Sequence, residues 1–150
     1  MEENEFKATH ASVNELPCAF NKAVLRRCCA CQRSERLFIA EREVIACKSP
    51  GAQPRCQELL ENLRSNAAFA LKLTHIEGSL PHNKEVKVQC GGLLGLQTAL
   101  FPGKAMLNKV GDIYTLLDQA VEHFGSVADL PYTEIVKSVT HFQAREARKR

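Results

Sequence analysis

Leu16, Phe20, Val24 and Cys28 recur at every fourth position, a spacing that puts all four on one face of a helix. Pro17 suits the first turn of that helix, and Asn14 stands a few residues ahead as a cap. The stripe would carry Cys28 to the helix end. Residues 1–12 have no hydrophobic period and read as a flexible N-terminal arm.

Between Leu37 and Ala46, two apolar runs flank the charged stretch 41–43, which predicts two short strands turning at the charges. Two prolines and a glycine make 49–54 a loop. Cys56, Leu59, Leu60, Leu63, Ala67, Ala70 and Leu71 then trace the apolar face of a long helix over about 54–74. After a second loop at 78–83, Val86, Val88 and Cys90 alternate with polar residues. That predicts a strand with Cys90 inward, followed by a tight Gly91-Gly92 turn whose amides face an anion or a metal cluster.

Two further helices complete the pattern. One runs from Asp112 to Gly125 with Ile113, Leu116, Leu117, Ala120, Val121 and Phe124 inward, and the other starts at Pro131 with Ile135, Val136, Val139 and Phe142 inward. The expected fold class is α+β: a mostly helical single domain over 13–144 with a small antiparallel sheet, followed by a basic tail at 145–150.

At 150 residues, 45% hydrophobic and 25% charged, the chain has the composition of one globular domain. No apolar run approaches the roughly 18 residues a membrane helix needs. The acidic start lacks the apolar stretch of a secretory signal, so the expected location is cytoplasmic.

Seven cysteines, at 18, 28, 29, 31, 47, 56 and 90, are the chemical signal. In a reducing compartment they read as metal-binding or redox thiols and not as staples. Cys28 and Cys31 form a C-x-x-C pair, Cys47 follows, and Cys56 opens the long helix, whose N-terminus favours thiolate. Cys90 fits a late ligand from a distant strand. The spacing is irregular for a zinc ribbon, so the expected site is an iron–sulfur cluster, of the four-iron type, on Cys28, Cys31, Cys47 and either Cys56 or Cys90. Its expected work is electron transfer or redox sensing, with a redox partner protein. The alternative is a zinc-stabilised module on Cys28, Cys31, Cys47 and Cys56 that meets a protein or nucleic acid. Cys18, and one of Cys28 or Cys29, are expected to pack as small hydrophobes.

Charge distribution supports an anionic site. Residues 26–55 hold seven Lys or Arg against three Glu, a surplus that would offset a four-thiolate site. Arg145, Arg148, Lys149 and Arg150 lack the aromatic interleaving of a nucleic-acid surface. His75 and His82 flank the loop before Cys90 and are expected as surface or capping histidines, with substitution for a thiolate ligand as the alternative. Gln32 after Cys31 excludes a c-type haem attachment, no βαβ pattern supports a thioredoxin-like site, and no hydrolase or phosphate-loop motif occurs.

Overall fold

The computed structural model describes residues 3–72, 80–104 and 108–143. Helix α1 (Glu3–Val13) precedes a short α2 (Asn21–Leu25) and an antiparallel hairpin of β1 (Ser34–Ile39) and β2 (Arg42–Cys47). Helix α3 (Gln53–Ala67) follows. Then α4 (His82–Val86), a π turn (Lys87–Gly91) and α5 (Gly92–Leu100) run on without a break in helical dihedrals. Helices α6 (Ile113–Phe124) and α7 (Tyr132–His141) close the chain. The fold is thus mostly helical α+β with a small two-stranded sheet. Among the described residues no helix is long and apolar enough to cross a membrane.

The hairpin turns at Ala40 and Glu41, with φ of 49° and 72°. A two-residue connection that matches the twist of its strands demands this left-handed backbone, so the turn falls just ahead of the charged centre expected. Helix α3 begins as expected, with Pro54 in its first turn, and buries Leu59, Leu60, Leu63 and Ala67. It ends at Ala67, short of the expected 74, and leaves Ala70 exposed. Helix α6 starts after Asp112 and stops at Gly125, whose φ of 104° suits only glycine.

Several expectations fail. Within the stretch 1–12 expected as a loose arm the chain forms α1 from Glu3, held to the hairpin by an Arg42–Glu3 ion pair at 3.1 Å and by Arg42 stacked 3.9 Å from the Phe6 ring centre. The helix expected from Pro17 begins only at Asn21, because residues 16–18 lie extended against β2. Asn14 caps nothing there; it is buried, and its amide donates to the Ile45 carbonyl at 3.1 Å.

The strand expected at 84–90 is helix. Val86, Val88, Gln89, Cys90, Leu93 and Leu96 are all buried, since this helix runs through the centre of the fold among α2, α3, α6 and α7. A helix buried on most sides loses its polar face, and a short window of it resembles a strand. Nor does Gly91-Gly92 turn the chain. A Cβ at Gly91 would stand 2.7 Å from Val139 Cα, and one at Gly95 would stand 2.8 Å from the Ile135 carbonyl oxygen, so these glycines let α7 approach.

A buried polar chain ties the helices together. The Arg64 guanidinium donates to both oxygens of Glu85, at 3.1 and 2.8 Å. Glu85 also accepts from Gln89 Nε2 at 2.8 Å and from the Leu80 amide at 3.3 Å. Gln89 Oε1 in turn accepts from the amides of Lys22 and Ala23, at 2.9 and 3.2 Å. A side chain from the π turn therefore satisfies the otherwise orphaned N-terminus of α2.

Gly91→Ala should lower stability by about 1–3 kcal/mol, because the methyl meets backbone. Gly92→Ala should cost less, since the atoms nearest its methyl belong to the Leu63 side chain and not to backbone. Gln89→Leu should cost about 1–3 kcal/mol through the bared α2 amides and the lost Glu85 donor. The midpoints of urea unfolding measure all three.

Candidate metal centre

Four separate stretches are drawn together at one end of the hairpin. The Cys18 amide donates to the Ile45 carbonyl at 3.1 Å and the Cys47 amide to the Leu16 carbonyl at 2.7 Å, which sets residues 16–18 alongside the end of β2. Cys31 closes the turn into β1: the Ser34 amide and hydroxyl both donate to its carbonyl, at 3.1 and 2.7 Å. The Lys48 amide donates to the Arg33 carbonyl at 2.7 Å and holds that turn against the exit of β2. Beyond Cys47 the chain bends at Ser49 into α3. There Gln53 Nε2 reaches back to the Pro17 carbonyl at 3.1 Å, and Cys56 stands just inside the helix.

Cys18, Cys31, Cys47 and Cys56 consequently line one cavity with Phe20 and Tyr114. The free space of about 20 Å³ is room for one water-sized body.

Backbone donors point at these sulfurs. The Phe20 amide favours the anionic form of Cys18, the Arg33 and Tyr114 amides favour that of Cys31, and the Ser49 amide donates to Cys47 Sγ at 3.4 Å. In three cases the donor sits two residues after the cysteine, a local turn that favours negative charge on sulfur. The Tyr114 amide comes from the first turn of α6, whose dipole has the same sign. Without a cation, burial dominates. It pushes Cys18 up to about 12, Cys56 up to about 11 and Cys31 above the usual thiol range, with neighbouring thiols adding to each rise.

Two guanidinium groups flank the rim. Arg33 stacks 4.4 Å and Arg55 5.7 Å from the Tyr114 ring centre, and Arg55 pairs with Asp118 at 3.2 Å. The Nε atoms of both arginines are buried with no hydrogen-bond partner. Buried donors beside a thiol cluster suit a site that carries net negative charge. The remaining basic surplus of this region is largely paired with carboxylates at the surface, with Arg27 and Arg36 on Glu43 and Arg42 on Glu3.

Among the described residues no group of three His, Cys, Asp or Glu side chains is arranged to hold a metal ion as it stands. Ligation by the four thiols therefore requires their side chains to close inward on the cavity.

Of the five expected ligands, Cys31, Cys47 and Cys56 line this cavity, while Cys28 and Cys90 do not. The C-x-x-C pair is divided. Arg27, at φ 66°, reverses the chain after α2 and leaves Cys28 beside Cys90 and Cys29. Cys28 Sγ lies 2.7 Å from Cys90 Sγ and 3.5 Å from Cys29 Sγ. Hydrogen bonds with Cys29 and Cys90 hold the Cys28 thiol well below the usual range, and Arg26 adds to the effect. Cys90 is buried as expected, but from a π turn and not a strand.

Cys18, expected as core filling, takes the cavity position assigned to Cys28. Pro17 is the signal available in the sequence, because a proline is as much at home on an edge strand as at a helix start. His82 sits 3.0 Å from the Lys22 amine and does not line the cavity. His75 and the basic tail at 145–150 lie outside the described residues. Set against models of known protein families, curated proteins and solved structures, the chain matches none.

Proposed function

We propose that the protein is a zinc-binding module in which Cys18, Cys31, Cys47 and Cys56 close on a single ion that staples the fold. The observation that carries this reading is the meeting of four thiols from four separate stretches at one cavity, three of them with an amide two residues on directed at sulfur. Four soft sulfur donors select zinc or iron–sulfur chemistry. The expected late ligand of a cluster, Cys90, is engaged elsewhere, and four thiols at one cavity match the closed tetrahedral set of a single zinc ion.

A closed four-sulfur site leaves no open position for substrate, so its role is structural. It would bind the 16–18 segment, the Cys31 turn, the end of β2 and the start of α3 to one point. Each of these is otherwise held by a few backbone hydrogen bonds. Metal binding free energy then adds directly to folding free energy.

Metal analysis of the full-length protein should give about one zinc per chain, with zinc–sulfur distances of about 2.3 Å by X-ray absorption. Cys18→Ser should release the metal and lower the melting temperature, whereas Cys28→Ser and Cys90→Ser should retain it. Metal lost from Cys28→Ser but kept by Cys18→Ser would overturn the ligand set. A coloured protein with equal iron and sulfide would overturn zinc in favour of a cluster.

A further inference from the structure

The three cysteines outside the cavity form a second thiol site. Cys28 is half-buried at the surface, and Cys29 and Cys90 lie beneath it, 3% and 0% exposed. Cys28 and Cys90 are 62 residues apart in the chain, and their sulfurs are 2.7 Å apart. Local structure holds both in place. The Val110 amide donates to the Cys28 carbonyl at 2.9 Å, the Cys29 amide donates to the Ala23 carbonyl at 3.3 Å, and Cys90 projects from the π turn. Such turns inside helices occur frequently at functional sites.

We propose that Cys28 and Cys90 are a redox-active dithiol that reduces a hydroperoxide, with Cys28 as the attacking sulfur and Cys90 as the resolving one. The division of work follows from access and contact. Of the three cysteines, Cys28 alone is not fully buried, and Cys90 is the thiol set against it. Cys29 is farther away, and a bond between adjacent residues would close a small strained ring. Hydrogen bonding between Cys28 and the Cys29 and Cys90 thiols, together with the charge of Arg26, favours the anionic, nucleophilic form of Cys28.

The Cys28 thiolate attacks the distal peroxide oxygen. A sulfur–oxygen bond forms, the oxygen–oxygen bond breaks, and the departing alkoxide takes a proton and leaves as the alcohol, or as water from hydrogen peroxide. Cys28 is then a sulfenic acid. The Cys90 sulfur attacks it, a disulfide forms, and hydroxide leaves as water with the proton Cys90 gives up. The two thiols have lost two electrons and two protons, and the peroxide has gained them. None of these three cysteines lines the four-thiol cavity, so the inference stands apart from the zinc reading.

The test treats the reduced full-length protein with one equivalent of hydrogen peroxide, followed by alkylation of free thiols and peptide mass mapping. Zinc release is followed in the same samples. Wild type and Cys29→Ser should yield a Cys28–Cys90 disulfide with zinc retained. Cys90→Ser should instead trap Cys28 as a sulfenic acid that dimedone labels, and Cys28→Ser should give neither product. Peroxide consumption by wild type should exceed that of Cys28→Ser by about tenfold or more. Cys90→Ala serves as a second variant if the serine disturbs the buried site. A peroxide-dependent disulfide between any other pair would overturn the proposal. So would the absence of dimedone on Cys28 in both folded Cys90 variants, or equal consumption by wild type and Cys28→Ser.

Discussion

Glu85 is a carboxylate at 1% exposure in the middle of a helical core, and the arrangement around it follows from the need to satisfy it. A buried carboxylate without partners costs several kcal/mol, so its two oxygens draw donors from wherever the chain can supply them. Arg64 comes from α3 in a bidentate fork, Gln89 from the π turn, and the Leu80 amide from the approach to α4. Gln89 then passes the constraint on, because the oxygen it keeps free is the one that accepts both leading amides of α2.

Helix α2 is therefore the hinge between the two thiol groups. Before it lies Cys18, laid against the end of β2; after it come the left-handed Arg27, Cys28 and Cys29. Five helical residues held at their N-terminus by one glutamine send Cys18 to the four-thiol cavity and Cys28 to Cys90. The close approach of α7 over Gly91 and Gly95 fixes the same central helix from its other side. Cys90 is consequently held by packing on one flank and by the buried polar chain on the other.

Charge is handled differently from what the distribution of Lys and Arg suggests. Most of the arginines near the cysteines bind carboxylates or stack on aromatic rings. The sulfurs of the cavity are met mainly by backbone amides, supplied by turns two residues after a cysteine and by the start of α6. Amides in a turn are fixed dipoles that lose no side-chain entropy when they orient toward charge.

The amphipathic elements were legible in the sequence because each has one face in water. The apolar stripes of α3, α6 and α7, the hairpin, and the stops at Gly125 and Ser49 all follow from local periodicity and turn chemistry. So did Cys31, Cys47 and Cys56 as members of one group. Local pattern failed where an element is buried on nearly every side, as for the helix through Cys90, or where a short extended segment pairs with a distant strand, as for Cys18. The division of seven cysteines into four and three was set by tertiary structure alone. It depends on hydrogen bonds between residues 16–18 and β2, and on the Glu85–Gln89 link to α2, which join segments tens of residues apart and leave no period in the chain.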